Sequence, residues 1–371
     1  MSEIRQRARQ LGVIVGTLPT GARNDITDVG GVGVGHTTII KGEGKHQPGV
    51  GPVRTGVTVI LPHPGDLWND RPSAGFFALN GCGEFNGAQW IDESGTLEGP
   101  IALTNTHSVG DVARAMTEWM ISKHPSIARE DDAYLPVIGE CDDSTVNDLH
   151  GFHVGKESVI SAIEEARKFE RVYEGSVGAG TGMSCYGFKG GIGSASRKVT
   201  ISEKEFHLGV LVNTNHGQSD QLMIDGFPVG RLLAEKHKRH NKEGSIVLII
   251  ATDAPLNQRQ LERLAKRACL GLARTGSIAA NGSGDFALAF STSRRIPRNT
   301  SDVLIQLSEL HIEHLNLFFK ATVESAEEAI LNSLFMATTI DGRDGNRVSA
   351  LPLEECLLII RKLNATADRG L

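Results

Sequence analysis

The chain has 371 residues, 40% hydrophobic and 22% charged, which suits one large domain or two ordinary ones and excludes disorder, coiled coil and collagen. A formal net charge of −6 with only three Trp and three Tyr leaves no basic, aromatic face for nucleic acid. Five scattered cysteines, none in a C-x-x-C pair, and the absence of a long apolar run point to reduced thiols, no membrane span and a cytoplasmic protein.

Apolar runs of strand length and amphipathic helical stretches alternate along the sequence. Val57 to Leu61 and Ile101 to Thr104 read as strands, and Ser108 then opens a helix with Val112, Ala115, Met116, Trp119 and Met120 on one stripe. Leu135 to Ile138 and His207 to Asn213 are further strands. A polar stretch, Glu235 to Gly244, runs straight into Ser245 to Ala251, which is apolar on both faces and must lie between two other layers. Asn257 with Gln260 forms a capping box for a helix carrying Leu261, Leu264, Ala265, Ala268 and Leu272, with Gly276 beyond its end. Asp285 to Ser291 is the last strand, and Ser325-x-x-Glu328 is expected to open the last long helix. The 43 glycines, roughly 12% against about 7% in average usage, imply many tight turns and close backbone approaches.

The most informative junction is Gly244-Ser245, where a polar loop meets a core strand. A cut there would leave Ser245 as a new N-terminus whose own α-amine, with a pKa near 8, could serve as its base; an ordinary loop-to-strand boundary reads the same way. Asn281-Gly282-Ser283-Gly284-Asp285 allows backbone to approach a ligand and places an acid two residues after a hydroxyl, or is simply a turn. The amides of Asn213 and Asn215 end one strand and could stabilise an oxyanion, and Glu140 ends another; either could equally cap a strand. Gly175 to Gly182 matches neither phosphate-loop fingerprint and reads as a structural turn. The His-x-x-His pairs at 150/153, 237/240 and 311/314 lack the companions of a metal site, and the loop from Asp341 has Pro352 where a calcium loop needs Glu.

In combination the segments resemble the L-aminopeptidase/D-esterase family, which includes the β-peptidyl aminopeptidases. The likeness is carried by Val53-Arg54-Thr55-Gly56-Val57, Asn80-Gly81-Cys82-Gly83-Glu84, Leu103-Thr104-Asn105-Thr106-His107, Gly178-Ala179-Gly180-Thr181-Gly182, Lys189-Gly190-Gly191-Ile192-Gly193, Gly244-Ser245 and Asn281 to Asp285, all in one order. The resemblance implies an α+β fold, a four-layer αββα sandwich of the N-terminal-nucleophile-like type. It implies a single domain over 1–371, self-cleaved between Gly244 and Ser245 into an α subunit, 1–244, and a β subunit, 245–371. It makes Ser245 the nucleophile and Ser283 the assisting serine, with Asp285 beside it. Asn215 becomes the oxyanion amide, with Asn213 as the fallback, and Glu140 the holder of the substrate's free amine. Short peptides, amides and esters would be the substrates, with no metal or cofactor, in a tetramer of cut protomers. Where relatives carry an apolar or aromatic residue two positions after that Glu, this chain has Asp142, which should favour cationic recognition. An acyltransferase of the ornithine acetyltransferase type, which cuts before threonine, and a non-catalytic small-ligand binding protein of the same fold are the alternatives.

Overall fold

The unbroken apolar run Ile246 to Ile250 is fully buried on both faces, as its pattern requires, and the chain is built outward from it. In the computed structural model, which describes residues 5–234 and 244–367, the first half of the chain contributes β1 (Gly33–Lys41), β2 (Val53–Leu61), β3 (Asp70–Gly81), β4 (Phe85–Asn86), α1 (Ala88–Ser94), β5 (Ile101–Asn105), α2 (Val109–Lys123), β6 (Val137–Cys141) and α3 (Lys156–Ala166). There follow β7 (Ser184–Cys185), β8 (Phe188–Lys189), β9 (Gly191–Ile201), β10 (Lys204–Thr214), α4 (Val229–Ala234), β11 (Ile246–Thr252), α5 (Gln258–Arg274) and β12 (Gly284–Pro297). The described chain closes with α6 (Leu315–Met336), β13 (Ile340–Asp341), β14 (Arg347–Val348) and α7 (Leu353–Ala367).

Two five-stranded mixed sheets result, in the orders β1-β2-β5-β6-β4 and β3-β12-β11-β10-β9. Side-chain alternation sorts the core into three layers. Val247, Ile249 and Ala251 of β11 meet Leu103 and Cys141 of the other sheet, while Ile246, Leu248 and Ile250 meet Leu261 and Leu264 of α5 and Ile330 of α6. On the outside of the first sheet, Val57, Val59 and Ile138 pack under Val112 and Met116 of α2 and Ile163 of α3. The order helix, sheet, sheet, helix is the expected αββα sandwich.

Glycine permits the close contacts between layers. A Cβ on Gly139 of β6 would stand 3.1 Å from Val247 across the inter-sheet layer, and one on Gly193 of β9 would stand 2.6 Å from the Ser333 nitrogen of α6. The Gly175 to Gly182 segment is a structural turn: Gly178 N donates to Thr38 Oγ1 at 2.8 Å, pressing the loop onto the first sheet.

Several boundaries differ from the sequence reading. The helix expected from Ser325 starts at Leu315, so Ser325 and Glu328 lie mid-helix. Glu328 is no cap; it pairs with the wholly buried Arg197 at 2.7 Å and with Arg9 at 2.8 Å, and Asn24 donates to it. Ser108 makes no side-chain cap for α2, whereas the box of Asn257 and Gln260 on α5 is formed as expected. The strand read as Leu135 to Ile138 runs instead over Val137–Cys141 and so contains Glu140. Strands β3 and β9 escaped the sequence reading because Pro72, Arg71 and the Gly-Ser-Arg-Lys content of residues 191–198 mask any apolar alternation. The pair His237/His240 and most of the polar stretch 235–244 lie outside the described residues.

Candidate active site

Ser245 immediately precedes β11 and shares the parity of Val247, so it belongs to the inter-sheet face, where it is 6% exposed. Its backbone oxygen accepts from Asn215 N at 2.9 Å, which extends the β10–β11 pairing to the strand mouth. Its hydroxyl oxygen accepts from Gly284 N at 3.2 Å. Strand β12 runs parallel to β11, with Asp285 opposite Ile246, and this register brings the Ser283-Gly284-Asp285 turn against the 244–245 peptide.

The scissile-bond candidate is therefore addressed from both ends. Ser283 Oγ donates to the Gly244 carbonyl oxygen and also lies 2.7 Å from Asp285 Oδ1. A hydroxyl has one proton and cannot serve two acceptors; both contacts are compatible when Asp285 is protonated and donates to Ser283. Burial favours that form, pushing the Asp285 carboxyl up to about 6 against the opposing bond from Ser283.

Asn215 spans the site. Its Oδ1 accepts from Ser184 N at 2.9 Å and its Nδ2 donates to the Asp142 carbonyl at 2.8 Å, leaving the second N–H of that amide beside Gly244. Asn213, paired with Val247 and wholly buried, has no hydrogen-bond partner for either side-chain atom among the described residues. A buried amide without partners is costly, so both asparagines singled out in the sequence stand at the site with donor capacity to spare. His216 is no base for Ser245: burial pushes its ring down to about 3, and among the described residues no histidine is hydrogen-bonded to Ser245.

Glu140 is buried on β6, its oxygens taking Glu84 N at 3.0 Å and the Thr106 hydroxyl. Burial raises its pKa above the ordinary glutamate value, and the charges of Asp142 and Glu84 add to the rise. Gly83 connects it to the nucleophile side: a Cβ there would lie 2.7 Å from Glu140 Oε1 and 3.7 Å from Gly284 Cα. Asp142 is exposed, and its carboxylate is turned onto Ser144 N at 2.7 Å and Ser144 Oγ at 3.0 Å rather than bonded within the Glu140 pocket. Sequence reasoning gave no role to Thr106 or to the backbone N–H of Gly284, nor to Lys189. That lysine is fully buried, donates to Gly180 O and Gly190 O at 2.8 Å each, and is pushed down to about 7 by burial. Thr106 and Lys189 sat in quoted motifs, but only folding reveals what they touch.

A family model for peptidase family S58 matches residues 24–348. The chain belongs to peptidase family S58. The curated relatives of this S58 chain include the beta-peptidyl aminopeptidase BapA of Sphingosinicella microcystinivorans, 41% identical over 377 residues and covering 97% of this chain and 93% of the relative. The protein of the same name from Sphingosinicella xenopeptidilytica is also 41% identical, over 369 residues, covering 96% and 91%. Among solved structures, the PH0078 protein from Pyrococcus horikoshii OT3 superposes with a TM-score of 0.93 at 48% identity, covering 97% of this chain and 99% of that one. The L-aminopeptidase D-Ala-esterase/amidase from Ochrobactrum anthropi, described as a prototype of the serine aminopeptidases with a variant of the Ntn hydrolase fold, gives 0.87 at 38% identity, covering 96% and 99%. The S58 chain shares that fold, which bears out the αββα expectation.

Proposed function

We infer that this S58 chain is a serine aminopeptidase that first cuts itself between Gly244 and Ser245 and then removes N-terminal residues from short peptides, amides and esters. One observation carries the reading: the hydroxyl of Ser283 is on the Gly244 carbonyl oxygen while Gly284 N–H holds Ser245 Oγ, so a single peptide bond has both its electrophile and its nucleophile positioned. In self-cleavage Ser245 Oγ attacks the Gly244 carbonyl carbon, and Ser283 meets the charge that develops on its oxygen. The C–N bond breaks and the hydroxyl proton ends on the Ser245 nitrogen, which frees the α-amine; water then hydrolyses the resulting ester, releasing the Gly244 carboxylate and the Ser245 hydroxyl.

In turnover that amine takes the Ser245 proton, the hydroxyl attacks the substrate carbonyl, and the free N–H of Asn215, with Asn213 in reserve, stabilises the oxyanion. Glu140 receives the substrate's ammonium; its cramped, buried carboxylate gains a counter-charge when substrate binds. Asp142 sets the charge at the rim of that pocket. The α-ammonium returns its proton to the leaving amine or alcohol as the substrate's scissile bond breaks, and the acyl-ester left on Ser245 then passes to water. The acyltransferase and binding-only alternatives give way to the peptidase family assignment, and the serine at 245 in place of threonine agrees with that outcome.

We further place the enzyme in the cytoplasm as a homotetramer of cut protomers. Its five free cysteines suit a reducing compartment, and among the described residues no helix is long and apolar enough to cross a membrane. The exposed run Val303, Leu304 and Ile305, at 97%, 85% and 43% exposure, suits burial against another copy.

Intact-mass analysis of fresh protein tests the central claim. The wild type is expected to give two polypeptides, 1–244 and 245–371, and Ser245→Ala one uncut, inactive chain; an active Ser245→Ala enzyme overturns the assignment.

A further inference from the structure

The His-x-x-His pair at 150 and 153 has no part in this chemistry, yet the fold gathers it with a third histidine around one carboxylate. Asp148, whose side chain is wholly buried, has His46 Nε2 at 2.7 Å from Oδ1 and His153 Nε2 at 3.0 Å from Oδ2. The exposed His150 completes a set in which His46, Asp148 and His150 each turn one ligand atom to within 4.8 Å of the others. Hydrogen bonds to the backbone fix the neighbouring segments independently of any ligand. Asp148 N donates to Pro52 O at 3.0 Å, His46 N donates to Asp344 Oδ1 at 2.8 Å, and Arg343 Nε donates to Ser144 O at 2.7 Å.

We propose that His46, Asp148 and His150 form a binding site for a divalent transition-metal ion of the zinc type, with water in the fourth position and His153 orienting the carboxylate from behind. Two imidazoles and one carboxylate suit zinc, cobalt or nickel, whereas calcium and magnesium demand all-oxygen shells. Tetrahedral zinc keeps its ligand atoms about 3.3 Å apart. The His46–Asp148 contact, 2.7 Å here, must therefore open by about 0.6 Å, and the solvent-facing His150 ring must swing inward. His153, bonded to the second carboxylate oxygen, is the kind of partner that fixes ligand orientation.

Arg343 works against the site, because its Nη1 lies 3.4 Å from His46 Nδ1. With metal on Nε2 the ring proton moves to Nδ1, and the guanidinium must turn to Asp344 Oδ2, already 3.2 Å away. Bound metal would clamp the hairpin carrying His46 to the 148–153 loop, which leads back through Ser144 to Asp142.

The test is titration of the chelator-treated full chain with zinc by calorimetry and with cobalt by visible absorption. Expected are one ion per chain, the absorption bands of tetrahedral cobalt and a raised melting temperature. His150→Ala, which removes an exposed ligand and no structural hydrogen bond, should keep its metal-free melting temperature, lose the bands and bind zinc at least about tenfold more weakly. Arg343→Gln should bind more tightly. Three results overturn the proposal: no saturation by zinc in the millimolar range, an unchanged affinity in His150→Ala, or loss of binding on substitution of His237 and His240 instead.

Discussion

At the scale of single residues, the shared proton of Ser283 makes opposite demands on the two proposed reactions. Self-cleavage needs Ser283 to donate to the Gly244 carbonyl, which is fully available only when Asp285 is protonated, below about 6. Turnover needs a neutral Ser245 amine, available as pH rises toward about 8. Purified precursor should therefore process faster as pH falls through 6 while peptidase activity falls over the same range. Asp285→Asn, whose amide can donate to Ser283 at any pH, should flatten the processing profile; an unchanged profile, followed by gel densitometry, counts against this proton relay. The same raised value carries a stability sign. Asp285 binds its proton more tightly folded than unfolded, so its favourable contribution is complete below about 4 and lost as pH rises through 6. Beside it, Asp142→Leu removes a negative charge from the rim of the amine pocket and frees Ser144. The ratio of kcat/KM for apolar over cationic N-terminal residues should rise by a factor of a few, and a constant ratio across a panel of amides would reject that role.

Elements are held at distances that glycine alone permits. On β9, Gly193 faces the Ala329–Ser333 turn of α6 so closely that an added Cβ would overlap the Ala329 carbonyl and stand 2.6 Å from the Ser333 nitrogen. Both neighbours are backbone within a buried helix and cannot move aside cheaply. Gly193→Ala should cost about 1–3 kcal/mol and lower the melting temperature by roughly 2–4 °C per kcal/mol, measurable by calorimetry on the uncut Ser245→Ala background to separate stability from processing. These approaches account for much of the glycine surplus that the sequence displayed without a period. The polar strands β3 and β9 were illegible for a related reason: their faces are satisfied by other elements, as where Arg197 of β9 meets Glu324 and Glu328 of α6, and such tertiary pairings leave no alternation in the chain itself.

For the whole molecule, the position of the proposed cut decides what cutting would do. β11 and β12 fall within residues 245–371 and sit at the centre of a sheet whose flanks, β3 on one side and β10 and β9 on the other, fall within residues 1–244. Separating the pieces would break the β3–β12 and β10–β11 ladders and open the inter-sheet layer. The two pieces should co-elute in native size-exclusion chromatography and part only in denaturant; separation of native, active fragments would contradict this topology.

The sequence by itself determined the layered α+β class, the buried strand after residue 244 and the order of motifs that marks the family, because burial on both faces and helical periodicity are written in consecutive residues. It also delivered Ser245, Ser283, Asp285, Asn215 and Glu140 as candidates. Only the tertiary structure decided that the parallel register of β11 and β12 sets Ser283 on the Gly244 carbonyl, that Asp142 turns to Ser144, and that His46 joins a histidine pair some hundred positions away. Such meetings depend on strand register and on loops anchored at both ends, and neither is encoded in the spacing of residues along the chain.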